Sequence, residues 1–158
     1  MLTIAKLRNL LVQVKTHITE INYTLVVTSN KEFTEHLKAR KKAENTIVFA
    51  VAPDHALDGK ADATKYGTFM QFLFFDKVAF SNLKHEQKLD VYEKIEGIVK
   101  EFIDRILVTK QGNNASEGGF DIECGMFDHF DEESVKIELY WDGAECIGYE
   151  VMFYLNSK

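Results

Sequence analysis

The stretch GTFMQFLFFDKVAF, Gly67 to Phe80, decides how the rest of the chain is read. At the two-residue period of a strand, one face carries Phe69, Leu73 and Phe75, and the other Met70, Phe72, Phe74, Val78 and Phe80. A strand with one wet face alternates apolar and polar residues, so both faces of this one need cover. The cover is either more of this chain or another copy of it.

Upstream, Ile4, Leu7, Leu10, Leu11, Val14 and Ile18 recur at helical spacing and predict an amphipathic helix over Leu2 to Glu20. A strand is predicted over Tyr23 to Thr28, and Phe33 and Leu37 mark a short surface helix within Lys31 to Lys42. A second, nearly all-apolar strand, Thr46 to Ala52, is expected to stop at Pro53, before a loop from Asp54 to Tyr66. Downstream, Asn82 is a candidate N-cap for the longest helix, Leu83 to Thr109, whose stripe is Leu89, Tyr92, Ile95, Val99, Phe102, Ile103 and Ile106.

After the loop GNNASEGG, three short strands are predicted. Phe120, Ile122, Cys124 and Met126 share a face in the first; Val135, Ile137, Leu139 and Trp141 share one in the second. In the third, Ile147, Tyr149, Val151, Phe153 and Leu155 oppose Gly148, Glu150, Met152 and Tyr154. Asp142-Gly143 is a hairpin signal between the last two. Hairpin-linked strands grouped around a few helices indicate one α+β domain over residues 1–158, with an antiparallel-rich sheet of five to six strands and two substantial helices packed on it. Two helices cover one face of such a sheet and leave the other short, so the expectation is completion by a second copy or a second layer.

The 158 residues carry 46% hydrophobic and 28% charged residues, as a globular domain does. A net charge of -6 argues against general nucleic-acid binding. The basic cluster Lys38, Arg40, Lys41 and Lys42 reads as a solvated helix end. Lys6 and Arg8 interrupt any secretory apolar run, and no stretch approaches the ~20 residues of a membrane span. The expectation is a soluble protein made in the cytoplasm, with Cys124 and Cys146 as reduced, buried thiols.

Chemistry-bearing patterns are sparse. Asp54-His55 and the turn Asp128, His129, Asp131, Glu132, Glu133 offer carboxylates and imidazoles, but the turn lacks the glycine-centred pattern of a calcium loop and reads as a solvated turn. There is no C-x-x-C pair, phosphate loop, nucleophile elbow, dinucleotide fingerprint or HExxH pattern. The chain reads as a non-enzyme without cofactor or metal.

The order of an amphipathic helix (Leu2 to Glu20), short strands, a long apolar strand (Thr68 to Phe75), a long helix (Leu83 to Thr109) and a terminal hairpin ending in GYEVMFYL resembles that of phage tail-terminator and neck (head-tail connector) proteins. The segment Lys31 to Lys42 is not part of that pattern. The resemblance implies a homo-oligomeric ring, often hexameric, that caps a tail tube in a virion alongside other assembly proteins, with acidic residues lining a lumen. Contacts are then expected at Phe72, Phe74 and Phe80 on the extra apolar face and at Trp141, Tyr149 and Tyr154 on the terminal hairpin. The alternative is a small module binding an apolar ligand or partner protein in a cavity lined by Phe69, Phe72, Tyr92, Phe102, Tyr149 and Phe153.

Overall fold

A computed structural model describes residues 2–58, 65–123, 125–142 and 145–156. The elements run α1 (Ile4–His17), β1 (Tyr23–Val27), α2 (Asn30–Ala39), β2 (Ile47–Asp58), β3 (Lys65–Lys77), α3 (His85–Lys110), β4 (Lys136–Asp142) and β5 (Cys146–Asn156). One five-stranded sheet has the order β1-β2-β3-β5-β4, with β1 parallel to β2 and every other pair antiparallel. The α+β class and the packing of the first and longest helices on the sheet are as the sequence predicts.

α1 and α3 cover one face of the sheet. Thr3 caps α1 by accepting the Lys6 backbone N–H at 3.2 Å, and Leu7, Leu10, Leu11 and Val14 are buried beneath it. α3 contributes Ile95, Ile98, Val99, Phe102 and Ile106 to the same core. Phe102 is its centre: its ring lies 5.1 Å from both Phe72 and Phe74 and 6.2 Å from Phe120, centroid to centroid.

α2 covers the opposite face, which corrects the expectation that a second copy or a second sheet layer completes it. Ser29 caps α2 by accepting the Glu32 N–H at 3.2 Å. The Glu32 carboxylate accepts the Thr28 hydroxyl, which holds its pKa below the ordinary carboxylate value. The helix lays Phe33 edge-on to Phe49 at 5.7 Å and buries Leu37 with Val27, Ile47, Leu73, Phe75 and Cys146 in a second core. A ten-residue helix with two large apolar side chains is enough because large rings on the sheet fill most of the space beneath it.

Two other expectations are corrected. Pro53 does not end β2, because the β2–β3 register shifts between Val51 and Asp54 and pairing resumes to Asp58. A bulge absorbs the missing N–H. Residues 120–123 and 125–126 form no strand: Phe120, Phe127 and Phe130 plug the end of the main core from a loop, with Phe120 N–H donated to Thr109 Oγ1 at 2.8 Å. Cys124, predicted there, lies outside the described residues, as do the hairpin residues 143 and 144.

Candidate functional site: an open apolar sheet edge

β4 is an edge strand because the chain enters it from the loop after α3 and leaves it by a hairpin into β5, whose other side is taken by β3. Its start is pinned. Lys110 Nζ donates to Phe130 O at 3.1 Å and pairs with Glu132 at 2.8 Å, while Ser134 Oγ accepts the Tyr154 N–H at 2.8 Å and donates to Asp131 O at 2.6 Å. From Lys136↔Met152 to Asp142↔Cys146 the β4–β5 register is unbroken.

The sequence KIELYWD places Ile137, Leu139 and Trp141 on one face and Lys136, Glu138 and Tyr140 on the other, with Tyr140 packed against Phe33 of α2. Ile137, Leu139 and Trp141 point to the face carrying α1 and α3, since they lie opposite Val151, Tyr149 and Ile147. α3 sits over β5 and β3 and stops short of them. They are therefore exposed, at 48%, 62% and 70% respectively. Three consecutive apolar side chains on one strip of an unpaired strand are unusual, because natural edges are commonly blunted by proline, bulges or inward charges. β4 has no proline and no bulge. The other edge, β1, is protected by contacts to both α1 and α2.

Between α3 and β4 runs a trough of about 710 Å³. Ile137, Tyr149, Val99, Ile103 and Gly97 form its apolar part, and Glu93, Glu96, Lys100 and Asp104 its rim. The Lys100–Asp104 ion pair spans 2.6 Å along that rim. Tyr92 stands edge-on to Tyr149 at 5.9 Å. Burial, followed by the negative field of Glu96, raises the Tyr149 pKa above its ordinary value; burial also raises that of Tyr92.

The predicted contact residues do not form one surface. Phe72 and Phe74 are fully buried in the chain's own core, which withdraws them as contacts; the Phe80 side chain lies outside the described residues. Trp141 is exposed on β4, Tyr149 is half-buried in the trough, and Tyr154 lies on the opposite face against Phe69 at 5.2 Å. The alternative cavity is likewise not formed, because Phe72, Phe102 and Phe153 pack ring against ring and fill the space. Ile137 and Leu139, which the sequence placed on a shared face without marking them as contacts, are the residues that matter beside Trp141. The signal for them was the position of KIELYWD as the outer partner of the last hairpin.

Among the described residues no group of three or more His, Cys, Asp or Glu side chains could hold a metal ion. In the turn read as a possible ligand set, Asp131 accepts the Glu133 N–H at 3.1 Å and Glu132 pairs with Lys110. A second groove of about 480 Å³ lies at the start of α2, where two of its polar groups, Gln71 and Glu150, hydrogen-bond to each other. Among the described residues no helix is long and apolar enough to cross a membrane. Comparison with protein-family models, curated proteins and solved structures gives no match.

Proposed function

We propose that this protein is a structural assembly subunit that docks to copies of itself through the open β4 edge. The observation that carries the reading is the exposed strip Ile137, Leu139 and Trp141 on a strand whose outer hydrogen-bonding groups are taken by no described strand. Docking there buries apolar surface and completes a backbone ladder at once, and each alone favours association. The resemblance to phage tail-terminator and neck proteins supplies a setting, a ring in a phage-like particle. The net charge of -6 fits a surface near DNA that must not bind it.

Light scattering across a wide concentration range tests this reading, with fluorescence of the single Trp alongside. A mass of at least two chains, with Trp141 emission shifting to the blue as the species forms, is expected. A monomer at every concentration overturns the reading.

The second reading, a module for an apolar ligand, is favoured by the volume of the trough, which lies within the ~300–1,000 Å³ of small-molecule sites. It requires a monomer that binds a hydrophobic dye and loses the dye when Gly97 is replaced by Leu.

A further inference from the structure

Resting on the assembly reading, we propose that the occupant of the β4 edge is the β4 strand of a second copy, paired antiparallel about a two-fold axis with Leu139 opposite the partner's Leu139. The sequence of the strand selects this register. Centred on residue 139, Ile137 stands opposite the partner's Trp141 and Glu138 opposite the partner's Tyr140, and all seven residues of β4 are paired. Apolar residues meet apolar residues on one face, and on the other Glu138 meets an uncharged tyrosine rather than its own image.

Neighbouring registers are worse for identifiable reasons. A slip of one residue sets the apolar row of one copy on the polar face of the other. Centring on residue 138 brings Glu138 against its own image. Like charges directly opposite destabilise a strand pair. Centring on residue 140 leaves only residues 138–142 of β4 paired and takes Ile137 out of the apolar row.

The helices leave room for this pairing. α3 packs chiefly on β5 rather than β4, so its two copies stand about three strand spacings apart, roughly 14 Å at ~4.8 Å per spacing. That exceeds the 8–10 Å of direct helix packing, so the helices do not collide. The gap is filled by Ile137, Leu139 and Trp141 of both copies, lying on the side where the trough opens. Two five-stranded sheets become one continuous sheet, and the exposed edge disappears. A contact of this symmetry joins copies in pairs, so a ring requires a second contact elsewhere on the surface.

Single cysteines placed on β4, in a background with Cys124→Ser, test the register under mild copper-phenanthroline oxidation. Opposed residues in an antiparallel pair have Cα atoms about 4.5–5.5 Å apart, within disulfide reach. Leu139→Cys alone is therefore expected to cross-link to a dimer. Ile137→Cys alone and Trp141→Cys alone are expected not to, since each sits about 14 Å from its own image, yet an equimolar mixture of the two cross-links. Cross-linking of Ile137→Cys alone, or none by Leu139→Cys in a protein that light scattering shows to be assembled, overturns the pairing and leaves the assembly reading standing. A wild-type protein that is monomeric throughout overturns both.

Discussion

Phe74 and Phe75, adjacent on β3, are both fully buried on opposite faces of the sheet: Phe74 lies 5.1 Å from Phe102 of α3, and Phe75 lies 5.1 Å from Phe49 in the core that α2 closes. The chain thus shelters its most apolar strand itself, from two sides. Phe74→Ala and Phe75→Ala are each expected to cost about 3–5 kcal/mol in urea unfolding. A loss below about 0.5 kcal/mol for Phe75→Ala, the range of a surface change, would show that α2 does not cover it.

Two glycines are expected to respond in opposite directions. At Gly148 an added Cβ would fall 1.8 Å from Phe74 O and 2.7 Å from Phe75 Cα, both backbone atoms that cannot yield. Gly148→Ala should destabilise by about 3 kcal/mol, at the upper end for overpacking, or prevent folding. Gly97, inside α3, meets nothing within 4 Å, so Gly97→Ala should stabilise by roughly 1 kcal/mol through helix propensity. Thermal midpoints of the two variants check both signs.

Asp76 is nearly buried and pairs with Lys94 at 2.8 Å; its second carboxylate oxygen has no hydrogen-bond partner among the described residues. Removing the lysine strands a charge beneath α3. Lys94→Met should cost about 1–3 kcal/mol, less than a fully buried pair because Lys94 is half exposed. Adding Asp76→Leu to that variant should recover most of the loss, and a double-mutant cycle without coupling would contradict the account.

The raised pKa of Tyr149 makes a prediction at alkaline pH. Its neutral form is favoured in the fold, so the contribution is complete below the unfolded value of about 10 and is lost as pH rises through the folded value. Stability should therefore fall above pH ~10, and Tyr149→Phe should flatten that fall. Difference absorbance at 295 nm between the wild type and Tyr149→Phe or Tyr92→Phe should show each of these two tyrosines ionising above the ordinary value of about 10; a difference spectrum that titrates at the ordinary value contradicts it.

Much of the fold was legible because long periodic segments carry their own evidence. The stripe from Ile95 to Ile106 predicted α3, and the two faces of β3 separate as read for Met70, Phe72 and Phe74 against Leu73 and Phe75, whereas Val78 and Phe80 lie beyond the end of the strand. What failed was the inference from those faces. Phe33 and Leu37 look too few to cover a sheet, and only the structure shows Phe49, Phe75 and Tyr140 filling the space around them. The segment 120–126 alternates in sequence like a strand, yet Phe120, Ile122 and Met126 pack on the core from a loop, which periodicity cannot distinguish. Ile137 and Leu139 share the pattern of a buried strand face; their exposure follows from the helix stopping at β5, a tertiary fact.

The docking account is tested most directly by amide hydrogen exchange across Lys136–Asp142 in the wild-type protein and in Leu139→Lys, an exposed position where the substitution should change stability by no more than about 0.5 kcal/mol. Outward-pointing N–H groups of an unpaired edge exchange fast, and those of a completed ladder slowly. The account predicts slow exchange at every β4 amide in the wild type and fast exchange at alternate ones in the variant. Fast exchange at those alternate amides in both proteins would contradict it.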